Sequence, residues 1–292
     1  MKMWLVGAGY WGSKLLQSLE KFSIDAQIID IRNGQTIADI NTLDPVMLAT
    51  PLWQHHQQAC ELLQRGHDVY VEKPLAETLD QVQEIETNIR PGQLLMVGHL
   101  FVHHPQMSEI KNIINSGRIG HLTHISSRRL NWGIYQTKTD PLLSLATHDI
   151  TIVQAIANHD PEPDTAVSWN YSNNVQPDRV WFSGSCGNIS FDIDVSWHWP
   201  VRTRQTVVLG TLGQIIWDQD TNTITVTQNH IKERRAVTDA NPEVISYNHR
   251  LSPLEAELGH WVDCLKSRTH PSTGLASAKM VGNTIDAVKK LI

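Results

Sequence analysis

The sequence predicts an α/β fold of two domains, a parallel-sheet domain over residues 1–99 and a second α/β domain with a mostly antiparallel sheet over 100–292. Two observations predict it. In the first hundred residues, short apolar runs alternate with helical patterns, which favours a parallel sheet covered by helices on both faces. After Gly98, strand-like segments follow one another between turn signals, which is typical of antiparallel pairing.

The first domain is predicted to contain five strands and three helices. The strands are expected at 4–6, 26–30, 46–49, 68–71 and 93–97. The helices are expected at 13–22, 54–65 and 78–89, and Gly66 is a natural C-terminal cap for the second of them. The stretch between the second and third strands is too short for a full crossover helix, so this part of the sheet is expected to be abbreviated.

The second domain is predicted to combine four helices with an antiparallel meander. The helices are expected at 106–116, 142–157, 253–266 and 276–291. The strands are expected at 121–129, 165–170, 180–185, 189–197, 203–209, 214–217 and 223–227.

Composition excludes several classes of protein. The 292 residues include 30 acidic and 24 basic side chains, a net charge of −6, which argues against a nucleic-acid partner. No apolar run approaches the roughly 20 residues of a membrane span, and Gly7 comes too early for a signal peptide. The cysteines (60, 186 and 264) form no CxxC pair, which argues against disulfides and a cysteine-built zinc site. We expect a cytoplasmic protein without a metal.

A glycine-rich turn follows the first predicted strand and opens the first predicted helix. Gly7-Ala8-Gly9-Tyr10-Trp11-Gly12 fits the GxGxxG pattern of dinucleotide-binding Rossmann domains. Gly7 permits the tight turn, Gly9 lets the backbone approach a pyrophosphate, and Gly12 lets the helix pack closely on the strand. The sequence therefore predicts a Rossmann domain whose cofactor contacts Gly7, Gly9, Tyr10, Trp11 and Gly12.

The second strand ends in an acidic residue at the distance expected for recognition of the cofactor's ribose. Asp30 lies 23 positions after Gly7 (30 − 7), close to the usual offset of about 20. A carboxylate there repels a 2′-phosphate, so NAD(H) is favoured, while Arg32 leaves NADP(H) open. Thr50 and Pro51 end the third strand and are expected on the adenosine–pyrophosphate side, with His55 nearby, although His55 fits a plain helix N-terminal residue equally well.

The segment Glu72-Lys73-Pro74 directly follows the fourth predicted strand. Ligands of doubly wound sheets sit beyond the carboxyl ends of the strands, so Lys73 is expected to point into the cofactor crevice. An ammonium group there can donate a hydrogen bond to a substrate oxygen, and partial desolvation would lower its pKa into a useful range. On position alone, a solvated surface lysine is an equal alternative.

The chain resembles the Gfo/Idh/MocA family of nicotinamide-dependent oxidoreductases in an ordered set of motifs. They are GAGYWG at 7–12, ATPLWQHHQQA at 49–59, VEKPLAETLDQ at 71–81, VGH at 97–99, NSGRIGHL at 115–122 and HDI at 148–150. The resemblance implies a Rossmann domain followed by an α/β domain with a large open sheet, for substrate binding and oligomerisation. It also implies hydride transfer between NAD(P) and a hydroxyl-bearing carbon, usually of a sugar or cyclitol.

The resemblance implies roles for individual residues. Lys73 and His148 are expected to be catalytic, and Glu72, Lys73 and Pro74 to lie at the cofactor. Substrate contacts are expected from His99, His103, Arg129, Asn131, Ser144 and His148. Many family members carry an aspartate where this chain has Ser144, which shifts reliance onto Lys73 and His148. A histidine-bound metal at 99–104 has no acidic partner and is not expected, and a solvent-facing sheet edge is an equal alternative for Arg129.

Three further segments resemble a branch of the family that acts on nucleotide-linked sugars. They are residues 129–133, 144–150 and 196–200, the last followed by Arg202 and Arg204. The expected substrate is therefore a sugar or nucleotide-linked sugar, and the expected assembly is a dimer or tetramer formed through the C-terminal sheet. Two alternatives remain: a catalytically silent cofactor-binding sensor or regulator, and a reductase of a non-sugar ring such as a dihydrodiol or bilin.

Overall fold

A computed structural model describes residues 1–132, 139–172, 175–232, 235–238, 241–246 and 251–292. The chain divides into two compact units. The first comprises Met1–His104 and Leu251–Asn283, and the second comprises Pro105–Arg250 and Thr284–Ile292. The boundary near residue 100 lies close to the one that the sequence predicts, but the segment 251–283, which was expected in the second domain, lies in the first unit.

Seven α-helices are present in the described residues. They are α1 (Tyr10–Glu20), α2 (Leu52–Arg65), α3 (Leu79–Thr87), α4 (Pro105–Asn115), α5 (Thr147–Ala157), α6 (Pro253–Ser267) and α7 (Leu275–Leu291). None of the described helices combines the length and apolar character needed to cross a lipid bilayer. Gly66 caps α2 in the left-handed conformation with a φ of 98°, as the sequence predicts.

The first unit is built on a five-stranded parallel sheet in the order β2-β1-β3-β4-β5. Its strands are β1 (Lys2–Val6), β2 (Asp25–Ile29), β3 (Val46–Leu48), β4 (Val69–Glu72) and β5 (Leu95–Gly98). Every neighbouring pair runs parallel, and β4 and β5 end together because Glu72 lies opposite Gly98. Two short 3-10 turns, Ile31–Asn33 and Ile37–Asp39, replace a crossover helix between β2 and β3, which confirms the abbreviated connection.

Helix α6 belongs to the first unit because its apolar face completes one side of the parallel sheet. Leu258 and Trp261 of α6 are fully buried in one cluster with Leu5 of β1, Leu15 of α1 and Met96 of β5. The sequence pattern identifies α6 as amphipathic, but amphipathicity does not say which sheet face receives the helix.

The second unit is built on a larger, mostly antiparallel sheet in the order β13-β12-β11-β10-β6-β9-β8-β7, with β14 also paired to β12. The strands are β6 (Leu122–Trp132), β7 (Glu162–Trp169), β8 (Arg179–Cys186), β9 (Ile189–Ser196), β10 (His198–Gly210), β11 (Gly213–Asp218), β12 (Thr223–Lys232), β13 (Arg235–Thr238) and β14 (Glu243–Ser246). Two features differ from the predicted meander. Strand β6 is inserted between β9 and β10 and runs parallel to β9, and the short strands β13 and β14 were not predicted.

The predicted helix over 142–157 is divided into two parts. Residues Leu142–Ala146 form a π-helical turn, and only Thr147–Ala157 is α-helical. A π-helical turn is rare and frequently accompanies a functional site, and it is not visible in an apolar pattern of period 3.6.

Candidate functional site

The glycine loop between β1 and α1 has the geometry that the sequence predicts. Gly7 has a φ of 97°, and a Cβ atom there would lie 2.7 Å from the carbonyl oxygen of Ala49. A Cβ atom on Gly12 would lie 1.9 Å from the carbonyl oxygen of Gly7, so the helix could not approach the loop this closely with any other residue. A Cβ atom on Gly9 would meet no atom within 4 Å, so the space above Gly9 is open to a ligand.

The N-terminus of α1 faces this open space, and no side chain caps the backbone N–H groups of its first turn. Gly9 is the N-cap residue. The first N–H groups of a helix have no intrahelical acceptor and carry a partial positive charge, which suits the pyrophosphate of a dinucleotide. The open space at Gly9 and the uncapped helix end therefore fit a bound dinucleotide.

A cleft of about 370 Å³ lies at the carboxyl edge of the parallel sheet. It is lined by Gly7, Ala8, Gly9, Tyr10, Trp11, Asp30, Arg32, Ala49, Thr50, Pro51 and Gln54. These residues follow β1, β2 and β3, so three strand ends contribute to one ligand-sized space. The cleft is lined by all but two of the cofactor-binding residues predicted in the glycine loop and after β2 and β3. The two exceptions are Gly12, which packs α1 against the loop, and His55.

Asp30 and Arg32 form a bidentate ion pair at the edge of the cleft. Nε of Arg32 lies 2.9 Å from Oδ1 of Asp30, and Nη2 lies 2.7 Å from Oδ2. Nη2 also donates to the carbonyl oxygen of Ala8 in the glycine loop, at 3.1 Å. The hydrogen bond from Arg32 lowers the pKa of Asp30 below its ordinary value, so this carboxylate stays charged.

Glu72 ends β4 beneath the glycine loop and is buried. Its Oε1 accepts a hydrogen bond from the indole Nε1 of Trp11, and the Tyr70 hydroxyl donates to the same oxygen at 3.1 Å. Burial raises the pKa of Glu72 to about 7, although the Trp11 hydrogen bond and the charge of Lys73 oppose that shift. Glu72 therefore supports Trp11 from behind and does not line the cleft.

Lys73 is half-buried and is the first residue after β4, followed by a cis peptide bond to Pro74. Its positive charge acts on three buried side chains. It lowers the pKa of His55 and of His99, in each case after the larger effect of burial, and it favours the charged form of Glu72. The structure thus places the Lys73 ammonium group among buried titratable side chains, which differs from the alternative of a fully solvated surface lysine.

His55 has a supporting position behind the cleft. It is buried, with Nδ1 2.9 Å from the Pro74 carbonyl oxygen and Nε2 2.8 Å from that of Thr50. A neutral imidazole carries one N–H, so it donates to one of these oxygens at a time. His55 ties the end of β3 to the segment after β4, whereas the sequence predicts that it contacts the cofactor.

His99 and His103 have different surroundings although both were predicted to contact substrate. His99 is buried, neither ring nitrogen has a hydrogen-bond partner among the described residues, and burial with the charge of Lys73 lowers its pKa to about 3. His103 lies against the C-terminal segment, with Nε2 3.1 Å from Thr273 Oγ1 and its ring 4.7 Å from that of His260. Of these two histidines, only His99 is affected by the charge of Lys73.

The predicted substrate residues of the second unit also separate into two groups. Arg129 is only 2% exposed, and its Nε donates to Oδ2 of the buried Asp149 at 2.8 Å. A guanidinium held in this way stabilises the β6–α5 contact and is not presented to solvent for a phosphate or carboxylate. Asn131, Ser144 and His148 are half-buried, at the end of β6, in the π-helical turn and in the first turn of α5. Gly133 lies outside the described residues.

A group of three potential metal ligands lies on α2 and α3, where no metal was predicted. Ligand atoms of His56, Cys60 and Glu84 all lie within 4.8 Å of one another, and His56 Nε2 is 2.9 Å from Glu84 Oε2. The spacing of His56 and Cys60, four residues apart on one helix, is the signal that could have drawn attention to this group. It is separate from the residues lining the cleft.

Comparison with known proteins gives one family model and several relatives. Residues 13–99 match the model described as "Oxidoreductase family, NAD-binding Rossmann fold", GFO_IDH_MocA. The chain is 25% identical over 248 residues to 2,7-anhydro-N-acetylneuraminate hydratase of Mediterraneibacter gnavus, covering 72% of this chain and 65% of the relative. It is 30% identical over 146 residues to inositol 2-dehydrogenase 2 of Saccharopolyspora erythraea, covering 49% of this chain and 43% of the relative. The matched segments thus span less than two thirds of these relatives.

The fold is also similar to that of solved structures over nearly the whole chain. A 3-ketoreductase from Actinomadura kijaniata, in complex with TDP-benzene and NADP, has a TM-score of 0.84 at 16% identity, with 99% of this chain and 96% of that chain covered. This likeness confirms the predicted fold class. The glycine-loop geometry and the family-model match agree over the first domain: residues 13–99 are similar to the NAD-binding Rossmann fold of the GFO_IDH_MocA oxidoreductases.

Proposed function

We propose that the protein is an NAD(H)-dependent oxidoreductase that acts on a secondary hydroxyl or ketone of a sugar or nucleotide-linked sugar. One observation carries the proposal: the glycine loop, Asp30 and Lys73 all lie at the carboxyl edge of the same parallel sheet. The first two suit a dinucleotide, and the third is an ammonium group at the end of a neighbouring strand, where a substrate oxygen would need a proton donor.

The residues that would hold the cofactor follow from the cleft. The N–H groups at the start of α1 would receive the pyrophosphate above Gly9, and Asp30 would accept hydrogen bonds from the ribose hydroxyls. The Asp30 carboxylate already accepts hydrogen bonds from Arg32. The ribose hydroxyls therefore have to share this carboxylate with Arg32 or displace Arg32 from it. When bound, NAD(H) supplies the hydride donor or acceptor.

Proton movement is assigned to Lys73. In the reducing direction Nζ donates a proton to the oxygen of the ketone, and in the oxidising direction it receives the proton of the hydroxyl. The buried, neutral His99 contributes no competing positive charge, because its pKa is lowered to about 3. His148 is proposed as the second acid–base group, since its ordinary pKa is near neutrality, with Asn131 and Ser144 as substrate contacts.

The proposed substrate class is supported by the names of the relatives. The hydratase, the inositol dehydrogenase and the ketoreductase are all named for, or crystallised with, ring compounds bearing oxygen substituents or a nucleotide. We propose the same chemistry for this chain, with the unit of Met1–His104 and Leu251–Asn283 as the dinucleotide-binding domain and the unit of Pro105–Arg250 and Thr284–Ile292 as the domain for substrate binding and oligomerisation. The proposed assembly is a dimer or tetramer formed through the C-terminal sheet.

A direct test is to titrate the purified protein with NADH and then incubate it with NAD⁺ and a panel of sugars, cyclitols and nucleotide sugars. We expect saturable NADH binding and growth of nicotinamide absorbance with at least one member of the panel. Saturable NADH binding with no oxidation of any member of the panel by NAD⁺ would contradict the proposed activity and favour a sensor. Absence of dinucleotide binding would contradict the proposal at its first step.

A further inference from the structure

Two buried carboxyl groups share one hydroxyl group beneath the cofactor cleft. The Tyr70 hydroxyl oxygen lies 3.1 Å from Oε1 of Glu72 and 3.2 Å from Oε2 of Glu257. Tyr70 is fully buried, Glu257 is 1% exposed and Glu72 is 8% exposed. Glu257 lies on α6, in the part of the first unit that comes from the far end of the chain.

The Tyr70 hydroxyl limits how the hydrogen bonds among Tyr70, Glu72 and Glu257 can form. Tyr70 has one O–H hydrogen, so it donates to one carboxylate only. The other contact is a hydrogen bond only if that carboxyl group is protonated and donates to the Tyr70 oxygen. Two carboxylate ions that contact the same buried hydroxyl group would also repel each other in a poorly solvated site, which is strongly unfavourable. The pair therefore holds one proton.

The surroundings of the two carboxyl groups decide where that proton resides. Glu72 accepts hydrogen bonds from the Trp11 indole and from the backbone N–H of Lys73, the latter at 3.3 Å, and it feels the positive charge of Lys73. Oε1 of Glu257 has no hydrogen-bond partner among the described residues. Burial, followed by the charge of Glu72, raises the pKa of Glu257 well above its ordinary value. Glu72 is thus the anion and Glu257 the acid.

We propose that Glu257 is a positioning residue for the dinucleotide site: its proton directs the Tyr70 hydroxyl toward Glu72, and Glu72 in turn holds the Trp11 indole of the glycine loop. With Glu257 protonated, its carboxyl group donates across the 3.2 Å contact to the Tyr70 oxygen, and Tyr70 and Trp11 both donate to Glu72, so the hydrogen bonds converge on Glu72. Trp11 lines the cleft, so the protonation of a residue on α6 is coupled to the shape of the cofactor site. This inference rests on the proposed dinucleotide-binding function.

Loss of the shared proton would weaken the site. An ionised Glu257 competes with Glu72 for the single Tyr70 hydrogen, and its negative charge repels the Glu72 carboxylate. Glu72 then loses the hydrogen bond from Tyr70, and its hydrogen bond with the Trp11 indole is weakened. The charged and titratable groups acting on this pair are Lys73, which favours ionised Glu72, and Tyr70, whose own pKa is raised by burial. The expected consequence is weaker dinucleotide binding at alkaline pH.

The protonation state can be followed without a cofactor. The indole ¹H–¹⁵N NMR signal of Trp11, assigned with Trp11→Phe, is recorded from about pH 6.5 to about pH 9.5 in wild type, Glu257→Gln and the control Asp263→Asn. Asp263 is an exposed carboxylate on the same helix. A glutamine amide keeps a donor toward Tyr70 but cannot ionise. Above about pH 8, where Glu72 is already ionised in every variant, we therefore expect the signal to titrate in wild type and Asp263→Asn and to stay fixed in Glu257→Gln.

The second measurement is the NADH dissociation constant over the same pH range. We expect affinity to fall about tenfold in wild type and the control, the effect of losing one hydrogen bond to a charged group, and to stay nearly constant in Glu257→Gln. Tyr70→Phe should weaken NADH binding at every pH. Identical pH profiles in wild type and folded Glu257→Gln would overturn the positioning role. If the Trp11 signal behaves as expected but no variant binds NADH, the proton-sharing pair stands, and both the positioning role and the proposed function fail.

Discussion

Arg32 holds both carboxylate oxygens of Asp30, at 2.9 Å and 2.7 Å, directly at the cleft edge where a cofactor ribose would bind. The ion pair joins the residue that the sequence predicts to favour NAD(H), Asp30, to the residue that leaves NADP(H) open, Arg32. Asp30 favours ribose hydroxyls, and an Arg32 side chain released from it would attract a 2′-phosphate. We therefore expect the balance between Asp30 and Arg32 to set the preference between NADH and NADPH.

Replacing Asp30 by alanine is expected to reverse or abolish the preference for NADH. The change removes the acceptor for the ribose hydroxyls and releases Arg32, so the ratio of the NADPH to the NADH dissociation constant should fall about tenfold. Fluorescence titration with both cofactors measures the ratio. Asp220→Ala, which removes the partner of the exposed Arg202, is the matched control, and an equal change in that variant would contradict the assignment.

Lys73→Met is expected to slow turnover by about 10²- to 10⁴-fold while NADH binding stays nearly intact. Methionine preserves the length of the side chain but neither donates nor accepts the proton. Steady-state kinetics and NADH titration separate the two effects. Lys111→Met on the exposed side of α4 should leave both unchanged, and full activity of Lys73→Met would exclude Lys73 from proton transfer.

Gly9→Ala is expected to weaken NADH binding, whereas Gly98→Ala is expected to lower the stability of the fold. The Gly9 Cβ position meets no protein atom within 4 Å, so alanine there should leave the thermal midpoint unchanged and weaken NADH binding by obstructing the pyrophosphate. At Gly98 the added Cβ would lie 2.5 Å from the buried Tyr70 hydroxyl oxygen, which should destabilise the fold by about 1–3 kcal/mol. Denaturation combined with NADH titration distinguishes the variants, and tight NADH binding by Gly9→Ala would contradict the proposed approach of the cofactor.

Arg129→Met is expected to reduce stability and not substrate recognition. The substitution leaves Asp149 buried without its ion-pair partner, which costs about 3–5 kcal/mol in comparable cases. Arg128→Met, at the exposed neighbouring position, should be nearly neutral. Thermal unfolding tests both. A stable Arg129→Met protein with a raised KM would instead restore the substrate-binding role that the sequence predicts.

The C-terminal sheet is expected to form an interface between copies of the chain. Val167 on β7 and Val201 on β10 expose 42% and 64% of their surface, and exposed apolar side chains on a sheet are available for association. Light scattering after gel filtration should give a dimer or tetramer, and Val167→Asp together with Val201→Asp should lower that mass. A wild-type mass equal to the monomer would contradict the prediction.

The sequence by itself determined the fold class and the glycine-loop half of the candidate site. Apolar runs of period two and 3.6 report directly on strands and helices, and Gly7, Gly9 and Gly12 report on a turn that other residues cannot form. The residues of the cleft follow the ends of consecutive strands, so their position in the sequence was sufficient to place Asp30, Thr50 and Pro51 beside the loop.

Only the tertiary structure decided the partners of the buried polar residues. Nothing in the local pattern distinguishes Arg129 from the exposed Arg128 beside it until α5 brings Asp149 against β6. Nothing near Glu257 indicates that α6 carries it to Tyr70 at the other end of the chain. Local spacing encodes backbone geometry, whereas ion pairing and proton sharing depend on groups that meet only when distant segments pack, and so they are settled by the folded chain alone.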